Sequence, residues 1–110
     1  MPSGDDIVQV ARAAFEDAHV HLDADLADAK TAADVRVVQD NHDRSLSSYM
    51  EALRTAFEQN GAIWLQALAD AQQAKQAVDA ARAAAVQLTQ RIAQMTALTT
   101  AVSDLIATAK

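Results

Sequence analysis

The chain has 110 residues, the length of one domain, and is 51% apolar, with 27 alanines, two glycines, one proline and no cysteine. The missing cysteine excludes disulfides, thiolate metal sites and cysteine nucleophiles, and the shortage of glycine and proline excludes a fold of many strands, which needs turn residues at short intervals. The net charge of −6 is uneven, with twelve acids and five bases in residues 1–60 against three acids and four bases in 61–110; neither the basic stripe that nucleic acid requires nor the basic amphipathic face that draws a helix to a membrane surface is present.

Alanine is the best helix former, so the expected class is all-α. The start, MPSGDDIVQV, lacks the basic and apolar regions of a signal peptide. No apolar run reaches the length that spans a bilayer. A cytoplasmic location is expected, with export by a signal-independent route left open.

The first arm opens at Ser3, an N-cap candidate, with Asp5 and Asp6 at the positive end of the helix dipole. Ile7, Ala11, Ala14 or Phe15, Ala18, Leu22, Leu26, Ala29, Ala33 and Val37 then recur at steps of three and four. The stripe passes in phase through TAAD (31–34), which reads as helix interior although Thr31 is a competent cap. QDNHDRS (39–45) is polar throughout. Because Asn and Asp compete for local backbone bonds, it predicts a break near 40–46. A stripe resumes at Leu46, Tyr49, Leu53, Ala56 and Phe57, and Asn60–Gly61 is the stop signal. From 62 to 109 a single heptad register holds, its core positions being Trp64, Ala67, Ala71, Ala74, Val78, Ala81, Ala85, Leu88, Ile92, Met95, Thr99, Val102, Ile106 and Ala109. That pattern predicts one continuous coiled-coil-type helix about 70 Å long.

The resulting architecture is one helical domain, a long antiparallel hairpin with arm one at 4–59, a turn at 60–61 and arm two at 62–109. In that register residue i faces about 121 − i, bringing Arg82 near Asp40 and Lys75 near Asp43. Leu88, Ile92 and Met95 become the energetic centre, facing Ala33, Ala29 and Leu26. Arm two is also apolar off its seam, at Ile63, Leu65, Leu68, Ala77, Ala84, Val86, Leu98 and Leu105. A helix apolar on two sides sits among other helices, which predicts a homodimer of hairpins forming a four-helix bundle. Its interface is expected at Trp64, Val78, Leu88, Ile92, Met95, Val102 and Ile106.

The stretch HVHLDADLAD (19–28) holds two histidines and three aspartates. Glu16, His19 and Asp23 share one helical row, and EDAH has the Glu-x-x-His spacing of carboxylate metal bundles. The row lies opposite Ala11, Ala14, Ala18 and Leu22, so a solvated acidic face is the expectation, with Glu16, His19 and Asp23 as the metal candidates. Tyr49, Phe57 and Trp64 are expected to cap the bundle end at the reversal. Serines 45–48 lie near His42 within one exposed turn, where a sheltered triad cannot form. No catalytic residue, enzyme activity or cofactor is expected.

NGAIW (60–64) places glycine before tryptophan, the reverse of the Trp-x-Gly turn in small secreted helical hairpins, so that motif is absent. In composition, SYMEALRTAF (48–57) with ALADAQQA (67–74) resembles the Ala/Gln-rich subunits of bacterial R-bodies, a resemblance that implies a filament- or ribbon-forming subunit. The function expected from the residues is a non-enzymatic, self-associating scaffold. Its rival is an adaptor or inhibitor whose acidic first arm docks on a basic protein, and a metal-binding oligomer stands third.

Overall fold

Alanine supplies helix propensity along the whole chain, and the described residues are helical between short connections. The structure, a computed structural model, describes residues 4–55 and 62–109, and of residues 62–64 only the backbone. The helices are α1 (Gly4–Val20), α2 (Leu22–Asp28), α3 (Ala32–Arg54), α4 (Ala62–Ala83) and α5 (Leu88–Ala109). The reversal at Gly61 and the ring of Phe57 lie outside the described residues. No described helix is long and apolar enough to cross a membrane.

Both predicted arms are cut, the first next to the cap candidate Thr31 and the second at a place the residue pattern did not announce. The first arm kinks at His21 and ends at Ala29, whose extended backbone (ψ 129°) closes α2. Thr31 then caps α3, accepting from the Asp34 N–H at 3.0 Å, so TAAD is a helix start and not helix interior. The expected break at 40–46 is absent, and α3 runs straight through it. The Asn41 amide is occupied by α5, and Ser45 bonds back along its own helix without breaking it. Asn41 donates to Thr96 Oγ1 at 3.1 Å and accepts from Thr99 Oγ1 at 3.3 Å, while Ser45 donates to the His42 carbonyl at 2.8 Å.

The second arm is two helices instead of one. The Val86 N–H reaches the Ala81 carbonyl at 3.3 Å and the Ala85 N–H reaches the Arg82 carbonyl at 3.1 Å. Together these are the paired bonds of a Schellman cap. Ala85 takes the left-handed position with φ 53°, where glycine is usual. With no glycine to signal it, the turn was hidden inside an unbroken heptad register.

Folding back at 84–87 brings four long helices from one chain around one core. α1 lies antiparallel to α3, with His19 beside His42 and Phe15 beside Tyr49. α3 and α5 run parallel, since Asn41 meets Thr96 and Ser48 meets Ser103 at the same offset. α1, α3, α5 and α4 follow one another around the bundle, and α5 also reaches α1 across it. The molecule measures 44 × 25 × 19 Å, too short for a straight 70 Å arm.

The core joins Ile7, Val10, Ala11 and Ala14 of α1 to Leu68, Ala71 and Val78 of α4 and Met95, Leu98, Val102, Leu105 and Ile106 of α5. Leu68, Leu98 and Leu105, which the hairpin left without an intramolecular partner, are at 4%, 0% and 0% exposure. Once the arm folds, these three leucines face the same interior as the seam residues Val78, Met95, Val102 and Ile106.

Candidate functional site

Three surfaces of the bundle gather chemistry or shape. The first is a buried ionic cluster where α1 ends. His21, at the kink, donates from Nδ1 to the Asp17 carbonyl at 2.8 Å. Beyond it Asp25 turns inward, and Asp17 and Asp25 are exposed by only 9% and 6%. The C-terminal turn of α4 delivers Arg82 between them. Its Nε donates to both Asp17 oxygens (3.1 and 2.9 Å), and its Nη1 and Nη2 donate to the two Asp25 oxygens (3.1 and 3.0 Å). Arg91 of α5 adds contacts to Asp25 at 3.5 Å and Asp28 at 2.5 Å. Burial works to lower the Arg82 pKa; the hydrogen bonds and charges of Asp25 and Asp17 outweigh it, and the net shift is upward.

This corrects the reading of HVHLDADLAD as a wholly solvated face. Asp23 is exposed, but Asp25 and its row-mate Asp17 are buried. A helical wheel drawn straight through residue 21 misses the kink, and the hairpin register paired Arg82 with Asp40 instead. Lys75 pairs with Asp79 in its own helix, not with Asp43.

The second feature is a ladder of rings across α1 and α3. Tyr49 stacks on Phe15 with centroids 5.9 Å apart, and Phe15 stacks on His19 at 5.2 Å. His42 leans on both Phe15 and His19 at 5.7 and 5.3 Å. Nδ1 of His19 lies 3.1 Å from Nε2 of His42, whose Nδ1 lies 3.1 Å from Asp43 Oδ1. Tyr49 is thus part of this ladder; the Trp64 and Phe57 rings expected beside it lie outside the described residues. Glu16 is held by Arg12 at 2.8 Å. Among the described residues no three His, Cys, Asp or Glu side chains are grouped to hold a metal, so Glu16, His19 and Asp23 do not form one centre.

The third is a groove of about 520 Å³ between α4 and α5, lined by Ala67, Asp70, Ala93, Thr96, Ala97, Thr100, Ala101 and Asp104. Its small side chains leave the two helix backbones open to close approach.

Of the residues expected at an interface, Val78, Leu88, Met95, Val102 and Ile106 are buried in the chain's own core and Ile92 is half-buried. The Trp64 side chain lies outside the described residues. The serines near His42 serve the fold: Ser45 bonds the His42 carbonyl, and Ser48 pairs with Ser103 at 3.3 Å. Sequence reasoning missed Arg82 and Arg91 as network centres. Their signal was present, because each is a guanidinium inside a nearly uncharged, alanine-rich arm and needs an acid from elsewhere. The chain matches no family model, no curated protein and no solved structure.

Proposed function

We propose that this chain is a non-enzymatic helical scaffold that self-associates through the α4/α5 face. The observation that carries the reading is the alanine groove, in which Ala93 and Ala97 are exposed and, among the described residues, the lining is of small side chains with Asp70 and Asp104. Small residues let another helix approach closely, and dispersion over such a contact accumulates from many short atom pairs. The second stripe supports association less than expected, because its members Leu68, Leu98 and Leu105 are buried within the chain. A dimer on this reading is therefore a pair of closed four-helix units, in which each copy is folded before it docks.

The test is the mass in solution over an about hundredfold dilution, for the native chain and for Ala97→Arg. The native chain should shift from monomer toward dimer as concentration rises, and the variant should remain monomeric. Monomer mass for the native chain throughout overturns the proposal. A mass that grows without limit points instead to an open filament or ribbon.

A second reading, the acidic adaptor, is favoured by Asp70 and Asp104 lining the same groove and by the net charge of −6. Its occupant is a basic amphipathic helix of another protein. Such binding would weaken with salt and with Asp70→Asn and Asp104→Asn, and self-association of the native chain would not accompany it.

A further inference from the structure

The ring ladder holds a feature that scaffolding does not use. Two imidazoles from different helices bring ring nitrogens to 3.1 Å, His19 Nδ1 from α1 and His42 Nε2 from α3. The Asp43 carboxylate faces the far nitrogen of His42 at 3.1 Å. A carboxylate can only accept, so His42 carries its proton on Nδ1 and turns the Nε2 lone pair toward His19. This is the arrangement in which a ligating histidine is oriented by a carboxylate behind it.

We propose that His19 and His42 form an open, two-histidine site for a borderline transition cation, with Zn²⁺ as the representative ion. At zinc–nitrogen bonds of about 2.05 Å, nitrogens 3.1 Å apart subtend roughly 98° at the metal, between octahedral and tetrahedral values. The ion enters by a small tilt of the two rings, replacing the hydrogen bond between them as His19 gives up its Nδ1 proton to water and takes one on Nε2 instead. His19 is exposed, so water reaches the remaining positions, and Phe15 stacks beneath His19 and limits its rotation. Imidazole ligands select zinc, copper and nickel over magnesium and calcium, which take oxygen. Glu16 is engaged with Arg12 and supplies no ligand.

The site differs from the Glu16–His19–Asp23 row suggested by helical spacing, because its second ligand comes from another helix, twenty-three residues away. Bound metal would pin α1 to α3 and stabilise the bundle by linkage.

The experiment uses tag-free full-length protein, equilibrium dialysis against zinc chloride with magnesium chloride as control, and thermal melts with and without the ion. One zinc per chain and a raised Tm are expected, with no effect of magnesium. His19→Ala and His42→Ala should each abolish both effects, and His21→Ala should leave both intact. Asp43→Asn should weaken zinc binding by about tenfold without preventing it. Circular dichroism of each variant establishes that it is folded. Absence of zinc uptake by the native chain overturns the proposal, as does uptake retained by folded His42→Ala.

Discussion

Ala85 carries a conformation that its side chain disfavours. A left-handed position costs an L-residue about 1–2 kcal/mol, and φ is 53° here. Glycine removes that cost while adding some freedom to the unfolded chain. Ala85→Gly should therefore stabilise the fold by about 0.5–1 kcal/mol, measured as a higher urea midpoint at an unchanged slope. Destabilisation would mean that the turn is not closed by this cap. Leu98 gives a second test, because it lies off the heptad seam and yet is at 0% exposure, whereas the seam residue Ile92 is only half-buried. Leu98→Ala should cost about 2–5 kcal/mol and exceed Ile92→Ala, while Leu65→Ala, at 46% exposure, should stay within about 0.5 kcal/mol. A straight second arm predicts the opposite order for Leu98 and Ile92.

Between elements, polar contacts set register. Asn41 with Thr96 and Ser48 with Ser103 line the α3/α5 seam at one offset, with Thr99 one turn further on also bonding Asn41, so a slip of one turn would break these pairings. Asn41→Ala should cost about 1–3 kcal/mol, the range for leaving hydrogen-bonding partners unsatisfied. Arg82 ties α4 to α1 and α2. Its replacement by methionine leaves Asp17 and Asp25 buried without their shared cation, and such breaks cost about 3–5 kcal/mol. The pH dependence has a definite sign. A raised arginine pKa contributes stability that is complete below the ordinary arginine value and lost only as pH rises through the raised one. The stability difference between the native chain and Arg82→Met should accordingly stay constant from about pH 7 to about pH 10. A difference that fades across that interval would show that the guanidinium does not hold the cluster.

For the molecule as a whole, the closed core separates folding from association. Had the second stripe of α4 and α5 needed another copy, the melting temperature would fall with dilution. Here Leu68, Leu98 and Leu105 are buried within the chain. The chain should therefore remain helical and melt cooperatively even at the dilution where its mass is that of a monomer, the melting temperature falling only by the increment that loss of the dimer removes by linkage. Ala97→Arg should hold the mass at monomer and melt as the dilute native chain does, since Ala97 lies on an exposed helix face. Loss of the fold itself, in the variant or in the dilute native chain, would return association to the folding core and remove the case for an independent docking groove.

Helix content was legible in the residues alone, because alanine propensity and the scarcity of glycine and proline act locally. So was the inward face of α1 through Ala18, and so were Val78, Leu88, Met95, Val102 and Ile106 as apolar anchors, since a three-and-four spacing marks them wherever the helix packs. The tertiary structure decided where the helices stop. The cap at Ala85 is held by bonds that any residue supplies from its backbone, so no residue type announced it. Asn41 keeps α3 intact only because Thr96 and Thr99 arrive from 55 and 58 residues away to occupy its amide. The candidate sites followed the same division. That His19 could bind a metal was readable from its side chain, but its partnership with His42, and that of Asp25 with Arg82, required the packing of helices far apart in the chain, which local periodicity does not encode.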